Sequence, residues 1–271
     1  MNIESRRPLA FGRTAEIYAW PGDRVLKLFH DWFPPEHVEY EARIARAVYS
    51  AGLNVPEVGD ILEVDGRLGL EYERLRGILL WEEMMAKPWE LGKHARLLAR
   101  LQAEIHAITG VQGLPALRAR LEKRIGSAGE LSSEVREASL LALSHLPDGK
   151  KLCHGDFHPL NVILTAEGPV VIDWIDAAIG SAPADVARTT VLTMGAKATA
   201  RPTSLLEKVM LEWGHRVYRK RYFELRPGGE EEYQAWIPLV AAARLSEGIE
   251  ELTPWLRGLA ETVLRDSEQG G

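Results

Sequence analysis

Between residues 8 and 73, apolar and polar positions alternate in short runs, which is the pattern of half-buried β-strands. One stretch interrupts this pattern: from residue 34 to 50, apolar side chains such as Val38, Ala42 and Ala45 recur at helical spacing. We therefore predict a five-stranded antiparallel sheet with one helix inserted after the third strand. The predicted strands are residues 8–11, 16–20, 25–29, 58–64 and 68–73.

After Arg76 the apolar spacing becomes mostly helical, so we place a domain boundary between residues 76 and 77. The exception is a hairpin over residues 162–172, turning at Glu167-Gly168, which we expect to be the only sheet of this part. A sheet followed by a mostly helical region is an α+β organisation. The predicted helices are residues 81–86, 89–108, 117–125, 132–146, 184–194, 204–225, 230–250 and 254–266, with Ser132 or Ser133 as an N-cap.

Composition narrows the class of protein. Hydrophobic residues make up 46% of the 271, which is enough for a sizeable core, and the net charge of −6 argues against a nucleic-acid-binding surface. The single cysteine, Cys153, excludes an internal disulfide and fits a reducing compartment. There is no run of about 18 apolar residues and no apolar leader. We expect a cytoplasmic protein with neither a membrane nor a nucleic acid as partner.

The densest group of chemically active side chains lies in HGDFHPLN, residues 154–161. It contains His154, Asp156 and Asn161, and the hairpin that follows ends at Asp173. Strand ends would gather the oxygens of Asp156, Asn161 and Asp173 around one small volume, which suits Mg²⁺. The spacing of the first three residues also matches the catalytic loop of phosphoryl-transfer enzymes, with Gly155 where that motif has arginine.

A second polar pair is predicted in the N-terminal region. Lys27 alternates onto the same strand face as Val25 and Phe29, so its ammonium is part-buried and needs a counter-ion. The alternative is a lysine on an edge strand that extends its charge into water. Glu41 falls on the apolar stripe of the inserted helix, three residues after Val38, and is the natural partner of Lys27.

Together these five positions predict the transfer of a phosphoryl group, which depends on positioning and charge neutralisation more than on covalent chemistry. Asp156 would orient the acceptor hydroxyl and take its proton. Asn161 and Asp173 would hold Mg²⁺ against the phosphates. Lys27, fixed by Glu41, would grip the α- and β-phosphates.

The motifs that carry these residues are VLKLF at 25–29, EARIARAV at 41–48, ERLRG at 73–77, HGDFHPLN at 154–161 and VIDW at 171–174, followed by Asp185. They resemble the aminoglycoside phosphotransferase and choline kinase family of small-molecule kinases. The resemblance implies a bilobal protein-kinase-like fold, with residues 1–76 as the nucleotide-binding lobe and residues 77–271 as the helical catalytic and substrate lobe. It also implies ATP and Mg²⁺ as cofactors, and an aminoglycoside-like or amino-alcohol-like small molecule as the hydroxyl acceptor.

The same resemblance assigns further roles. The backbone from Glu73 to Leu75 would hydrogen-bond adenine, and Gly12 and Thr14 would contact phosphate from a loop with a single glycine. Asp185 would brace the catalytic loop; the alternative is a carboxylate that the positive end of a helix favours. The C-terminal RDSEQGG differs from the terminal carboxylate arrangement of aminoglycoside 3′-kinases, which disfavours an antibiotic as acceptor.

Other interpretations stay open at this point. His154, Asp156 and His158 also form an H-x-D-x-H pattern that would suit a metal-dependent hydrolase, although it leaves the N-terminal ion pair without a role. A nucleotide-binding regulator without turnover is a further alternative. We expect His154 to be structural beneath the loop, and Phe157 and Trp174 to be packing residues.

The acceptor itself is not specified by the pattern. Glu247, Glu250 and Glu251 could form an acidic wall for a cationic acceptor, or simply a solvated helix end. Arg244, on the same predicted helix, could equally contact an anionic group.

Overall fold

A computed structural model describes residues 7–198 and 205–269. The chain forms two compact units, and the hairpin after the HGDFHPLN segment belongs to the first of them. This grouping differs from a single boundary after residue 76, because the hairpin pairs with a strand of the N-terminal part. The first unit runs to Glu82 and adds Val111–Leu114 and Leu160–Ile175, and the second comprises Glu83–Gly110, Pro115–Pro159 and the chain from Asp176 onward.

The first unit contains the predicted five-stranded antiparallel sheet. Its order is β1-β2-β3-β5-β4, so β3 is the central strand. Asp65 and Gly66 both have positive φ in the tight turn between the last two strands, which is why this Asp-Gly pair predicts a hairpin. The strands are β1 Ala10–Phe11, β2 Ala15–Trp20, β3 Arg24–Phe29, β4 Val58–Val64 and β5 Arg67–Glu73.

One helix, α1 (Pro35–Ser50), packs its apolar stripe against this sheet. Val38 and Ala42 of the helix share a buried cluster with Phe29 and Leu70 of the strands. The helix begins at a proline, which needs no intrahelical donor there, and Gly52 follows its end with φ +79°. The inserted helix is therefore confirmed.

Five short strands form two further sheets. The prediction of a single hairpin sheet is wrong, because strands of three residues are too short to show a period in the sequence. β8 and β9 form the predicted hairpin and add β6, whereas β7 and β10 make an antiparallel pair in the second unit. The strands are β6 Gly77–Leu79, β7 Lys151–Cys153, β8 Val162–Thr165, β9 Gly168–Val171 and β10 Ala178–Gly180.

Helices make up most of the second unit. The Ser132 hydroxyl accepts a hydrogen bond from the backbone N–H of Val135 at 3.2 Å, so this predicted N-cap is confirmed. No helix within the described ranges is both long and apolar enough to cross a membrane. The helices are α2 Leu80–Ala86, α3 Leu91–Ile105, α4 Leu117–Ser127, α5 Ser133–His145, α6 Ala182–Ala198, α7 Leu205–Leu225, α8 Glu230–Arg244, α9 Thr253–Ala260 and α10 Thr262–Gln269.

Several helix boundaries differ from prediction, and three predicted helices are shortened or broken. The helix expected over 89–108 opens with a 3₁₀ turn and ends at Ile105, and the predicted start at Ser204 lies outside the described residues. The helix expected over 230–250 ends at Arg244 and continues as 3₁₀ turns around Gly248, whose φ of +64° breaks the helix. The last predicted helix is divided in two at Glu261.

Candidate active site

The side chain of Lys27 lies on the central strand β3 and is only 16% exposed. Its Nζ donates to Glu41 Oε1 at 2.7 Å and lies 3.6 Å from Asp173 Oδ1. The predicted ion pair with Glu41 is confirmed. The alternative of an edge-strand lysine is wrong, because β3 has a neighbour on each side.

Two carboxylates keep this lysine charged. Burial alone would lower the pKa of Lys27, but the charges of Glu41 and Asp173 more than offset it, so its pKa is raised. Tyr72, which sequence reasoning missed, donates its hydroxyl to Glu41 Oε1 at 3.0 Å. Burial, and then the Glu41 charge, raise the pKa of Tyr72 well above its ordinary value, so it remains a donor. The result is a fixed positive charge at the edge of the first unit's core.

Asn161 and Asp173 also belong to the first unit. The carbonyl of Asn161 accepts from the N–H of Ile172 at 3.0 Å, which ties the start of the hairpin to the residue before Asp173. Asp173 itself has φ +63°, a left-handed conformation, and its side chain is 41% exposed. An amide oxygen and a carboxylate are the hard ligands that Mg²⁺ prefers, so this donor set fits that ion.

Asp156 lies in the second unit, before the chain returns to the hairpin. His158 Nε2 lies 3.3 Å from Asp156 Oδ2, and Arg188 Nη2 lies 3.6 Å from Asp156 Oδ1. Burial alone would raise the pKa of Asp156, but the hydrogen bond of His158 and the charge of Arg188 lower it below its usual range. Asp156 is therefore ionised at neutral pH.

A buried carboxylate, Asp185, fixes the loop that carries Asp156. Its two oxygens accept the backbone N–H groups of His154 and Gly155, at 3.1 and 2.7 Å. Gln102 donates to it at 3.0 Å, and His106 Nε2 lies at the same distance. Burial alone would raise the pKa of Asp185, but these partners lower it to about 2. Asp185 occupies the N-terminal turn of α6, where a helix also favours negative charge.

The glycine in the HGD motif has a steric cause. Gly155 has φ +80°, and an added Cβ would lie 2.2 Å from the backbone oxygen of Asp176. Its own carbonyl accepts from Arg188 Nε at 3.0 Å. No larger residue fits this backbone, which accounts for the departure from the arginine of the protein-kinase motif.

His154 lies beneath the loop, where a structural residue was expected. Its side chain is fully buried, and its Nδ1 accepts the backbone N–H of Asp156 at 3.2 Å. Phe157 and Trp174 are also buried, as packing residues should be. Among the residues the structure describes, no three His, Cys, Asp or Glu side chains come together as a metal-binding group, and His154 is turned to its own loop rather than outward.

The loop at residues 12–14 is the tight turn between β1 and β2. Gly12 donates its N–H to Ala15 O at 2.8 Å, and the carbonyl of Thr14 accepts from His30 at 3.0 Å. Farther along, the N–H groups of Glu73 and Arg74 already donate within the first unit, to Glu57 O and Asp23 O. Because these N–H groups already donate hydrogen bonds within the protein, they are not available to a ligand.

The chain also matches the model of a known protein family, in agreement with these features. Residues 8–220 match the model of a family described as "Phosphotransferase enzyme family", which is well over half of the sequence. The chain belongs to this family. No curated protein matches it in sequence.

Solved structures of low identity share the phosphotransferase's fold. A thermostable mutant of aminoglycoside phosphotransferase APH(4)-Ia, in ternary complex with AMP-PNP and hygromycin B, aligns with a TM-score of 0.66 at 18% identity, over 97% of this chain and 93% of that one. A choline/ethanolamine kinase family protein from Mesorhizobium loti aligns at 0.59 and 16% identity, over 97% and 87%. Aminoglycoside-3′-phosphotransferase of type VIII aligns at 0.59 and 18%, over 89% and 90%. The predicted α+β, kinase-like fold is confirmed.

One further residue of the phosphotransferase, Arg188, lies beside the loop of Asp156 and was missed from the sequence. Arg188 follows Asp185 by three residues on α6, and this is the signal that could have placed it beside the loop. Its Nη2 pairs with Glu247 Oε1 at 2.6 Å, so Glu247 is engaged in an ion pair. Glu250 and Glu251 are exposed, as a solvated segment would be.

Proposed function

We propose that this phosphotransferase moves the γ-phosphoryl group of ATP to a hydroxyl group of a small molecule. The observation that carries the proposal is Lys27, an almost buried ammonium held between Glu41 at 2.7 Å and Asp173 at 3.6 Å. Keeping a charge out of water is costly unless its partners compensate it. An ammonium kept cationic in this way is suited to binding the phosphates of a nucleotide.

The reaction balances without a covalent enzyme intermediate. The acceptor oxygen forms a bond to the γ-phosphorus, the bond from that phosphorus to the β,γ-bridging oxygen breaks, and ADP leaves with the electron pair. Asp156 accepts the hydroxyl proton. Because its pKa is lowered, Asp156 is always ionised but weakly basic. It therefore orients the hydroxyl first and takes the proton late, as a loose phosphoryl-transfer transition state allows.

On the nucleotide side, Lys27 would bind the α- and β-phosphates with Glu41 fixing its direction. Asn161 and Asp173 would hold Mg²⁺, which when bound neutralises phosphate charge. Thr14 would reach phosphate with its hydroxyl, since the N–H of Gly12, two residues before it, is engaged in the turn.

The adenine contact falls within the Glu73–Leu75 segment. Because the N–H groups of Glu73 and Arg74 are engaged at 2.9 and 3.2 Å, we assign the donor to Leu75. The family membership supports nucleotide use, as does the AMP-PNP bound to the APH(4)-Ia relative.

The test is an ATP-turnover assay across a broad panel of hydroxyl compounds, comparing wild type with Asp156→Asn. We expect at least one compound to stimulate turnover, and Asp156→Asn to lower it by about 100-fold or more. Asp148→Asn is the matched control, because Asp148 is an exposed partner of Arg118. Equal turnover by wild type and Asp156→Asn would refute the mechanism. Tight binding of ATP with no product from any acceptor would indicate a regulator instead.

A further inference from the structure

The second unit concentrates arginine side chains next to Asp156. Arg188 lies 3.6 Å from Asp156 and 2.6 Å from Glu247, and Arg244 Nε lies 3.7 Å from Glu247. Arg124 pairs with Asp176 at 2.7 Å and lies 3.8 Å from Glu247. Four guanidinium groups therefore form ion pairs with three carboxylates in one small region. The four are Arg120, Arg124, Arg188 and Arg244, and the three are Asp156, Asp176 and Glu247.

Among these arginines, Arg244 has buried N–H donors that lack a hydrogen-bond partner among the described residues. It is only 8% exposed, yet its Nε and Nη1 donate no hydrogen bond to any residue that the structure describes. Arg188, by contrast, donates to the Gly155 carbonyl and pairs with Glu247. Buried donors of a charged group are normally satisfied, because leaving them without a partner costs more than a typical hydrogen bond contributes.

The pKa of Arg244 is consistent with its burial and its lack of hydrogen-bond partners. Burial, and then the charges of Arg188 and, to a smaller extent, Arg124, lower the pKa of Arg244 to about 10. Arg244 is thus still cationic at neutral pH, although burial and the neighbouring guanidinium groups disfavour its charge. An added anion would supply the missing acceptor atoms and would favour the charged form of Arg244.

We propose that Arg244 and Arg188 bind an oxyanion of the phosphoryl acceptor. The acceptor is then a small hydroxyl compound that carries a carboxylate or a phosphate ester, rather than a cationic aminoglycoside or amino alcohol. The guanidinium fork suits both oxyanions, since it presents parallel N–H groups to paired oxygens. This inference rests on the proposed function, because it assigns the substrate class of the same site.

The distances also restrict the acceptor's size. Asp156 would hold the hydroxyl, and Arg188 is 3.6 Å from that carboxylate. With ordinary hydrogen-bond lengths of about 2.8 Å on each side, the hydroxyl and the oxyanion are only a few bonds apart. Short hydroxy acids and small sugar phosphates meet this condition.

A purely structural role for the same residues makes a different prediction. Arg188 and Glu247 join α6 to the turn after α8, and such an ion pair would hold these segments together whether or not a ligand binds. In that case Glu247→Gln would only destabilise the protein. If the site binds an anion, Glu247→Gln removes a competing carboxylate and tightens anion binding.

The experiment uses the full chain and matched pairs of compounds. D-glycerate and glycerol 3-phosphate are compared with glycerol and choline, together with further short hydroxy acids and sugar phosphates beside their uncharged analogues. Binding is measured by calorimetry without nucleotide, and stimulation of ATP turnover is measured separately. The variants are Arg244→Gln, Glu247→Gln and the control Arg257→Gln, which removes an exposed arginine paired with Glu130.

We expect an anionic compound, but not its uncharged analogue, to bind and to stimulate turnover. Arg244→Gln should raise its KM by about 10- to 100-fold, the effect of losing charge-assisted hydrogen bonds, with a smaller change in kcat. Glu247→Gln should tighten binding several-fold, and Arg257→Gln should leave both unchanged. A panel in which only carboxylates or only phosphates act settles which oxyanion is used.

Stimulation by uncharged or cationic compounds alone would overturn the inference while leaving the proposed function intact. A panel in which no anion binds, or binding that is unchanged in Arg244→Gln, would overturn it equally. Anion binding that depends on Arg244, together with turnover that does not depend on Asp156, would instead overturn the proposed function and retain the anion site.

Discussion

Replacing Asp185 with asparagine should destabilise the protein and disorder the catalytic loop together. In the wild type, Oδ1 accepts the N–H of Gly155, whereas Oδ2 accepts those of His154 and Gln102 and lies 3.0 Å from His106. An amide has one acceptor oxygen, so Asp185→Asn turns an NH₂ group toward at least one of these donors. The most economical orientation leaves the N–H of Gly155 without a partner, next to Asp156.

The expected loss of folding free energy in Asp185→Asn has two contributions. The lowering of the Asp185 pKa from 3.8 to about 2 corresponds to about 2 kcal/mol of folding free energy at neutral pH. The unpaired, buried N–H costs about 1–3 kcal/mol more. We therefore expect Asp185→Asn to lose about 3–5 kcal/mol, within the stability of a typical domain.

The folding free energy that the Asp185 charge contributes should decrease in acid. Asp185 has a depressed pKa in the folded state, so its charge stabilises fully above the unfolded pKa of about 4 and this contribution is lost as pH falls toward 2. The difference between wild type and Asp185→Asn should stay constant from neutral pH down to about pH 5. About half of its charge-dependent part should be gone at about pH 3.

Urea denaturation at a series of pH values measures this difference, with ATP turnover measured on the same samples. Asp148→Asn is the control, because its exposed ion pair with Arg118 should contribute about 1 kcal/mol or less. An Asp185→Asn protein as stable as wild type at neutral pH would show that Asp185 does not stabilise the loop. A difference that does not shrink in acid would show that the Asp185 charge does not contribute.

Three further substitutions test two parts of the site and one helix cap outside it. Gly155→Ala forces a Cβ onto a left-handed backbone, so it should cost about 2 kcal/mol or more in urea denaturation and abolish most turnover. Glu41→Gln keeps the size of the side chain but leaves Asp173, at 3.6 Å, as the remaining carboxylate partner of Lys27 that the structure describes, so the KM for ATP should rise more than the KM for the acceptor. Ser132→Ala removes an N-cap far along the chain from these residues, so it should cost about 1 kcal/mol with turnover unchanged.

The sequence correctly predicted the position of a side chain where a single strand, helix or turn determines it. Strand alternation placed Lys27 inward, and the helical stripe placed Glu41 toward it, because each pattern is set within a few residues. The Asp-Gly turn at residue 65 and the Ser132 cap were predictable for the same reason. The HGDFHPLN spacing identified Asp156 and Asn161 as candidates, and their roles remain predictions.

The rest depends on contacts between segments that are distant in sequence. Tyr72 contacts Glu41, 31 residues away in sequence, and Arg188 contacts Glu247, 59 residues away. The sequence around these residues contains no pattern that predicts either partner. The pairing of β7 with β10 was missed because strands of three residues carry too few positions to show alternation. The helix predicted to run to residue 250 stops at Arg244, and this break is what brings Glu247 back toward α6.

The most direct test of the account is to follow the phosphorus atoms by ³¹P nuclear magnetic resonance. Wild type and Asp156→Asn are each incubated with ATP, Mg²⁺ and the hydroxyl compound that most stimulates turnover. If Asp156 assists phosphoryl transfer, a new phosphate monoester signal grows with ADP in the wild type and is almost absent in Asp156→Asn. Release of inorganic phosphate alone, or an ester signal of equal size in both proteins, would contradict it.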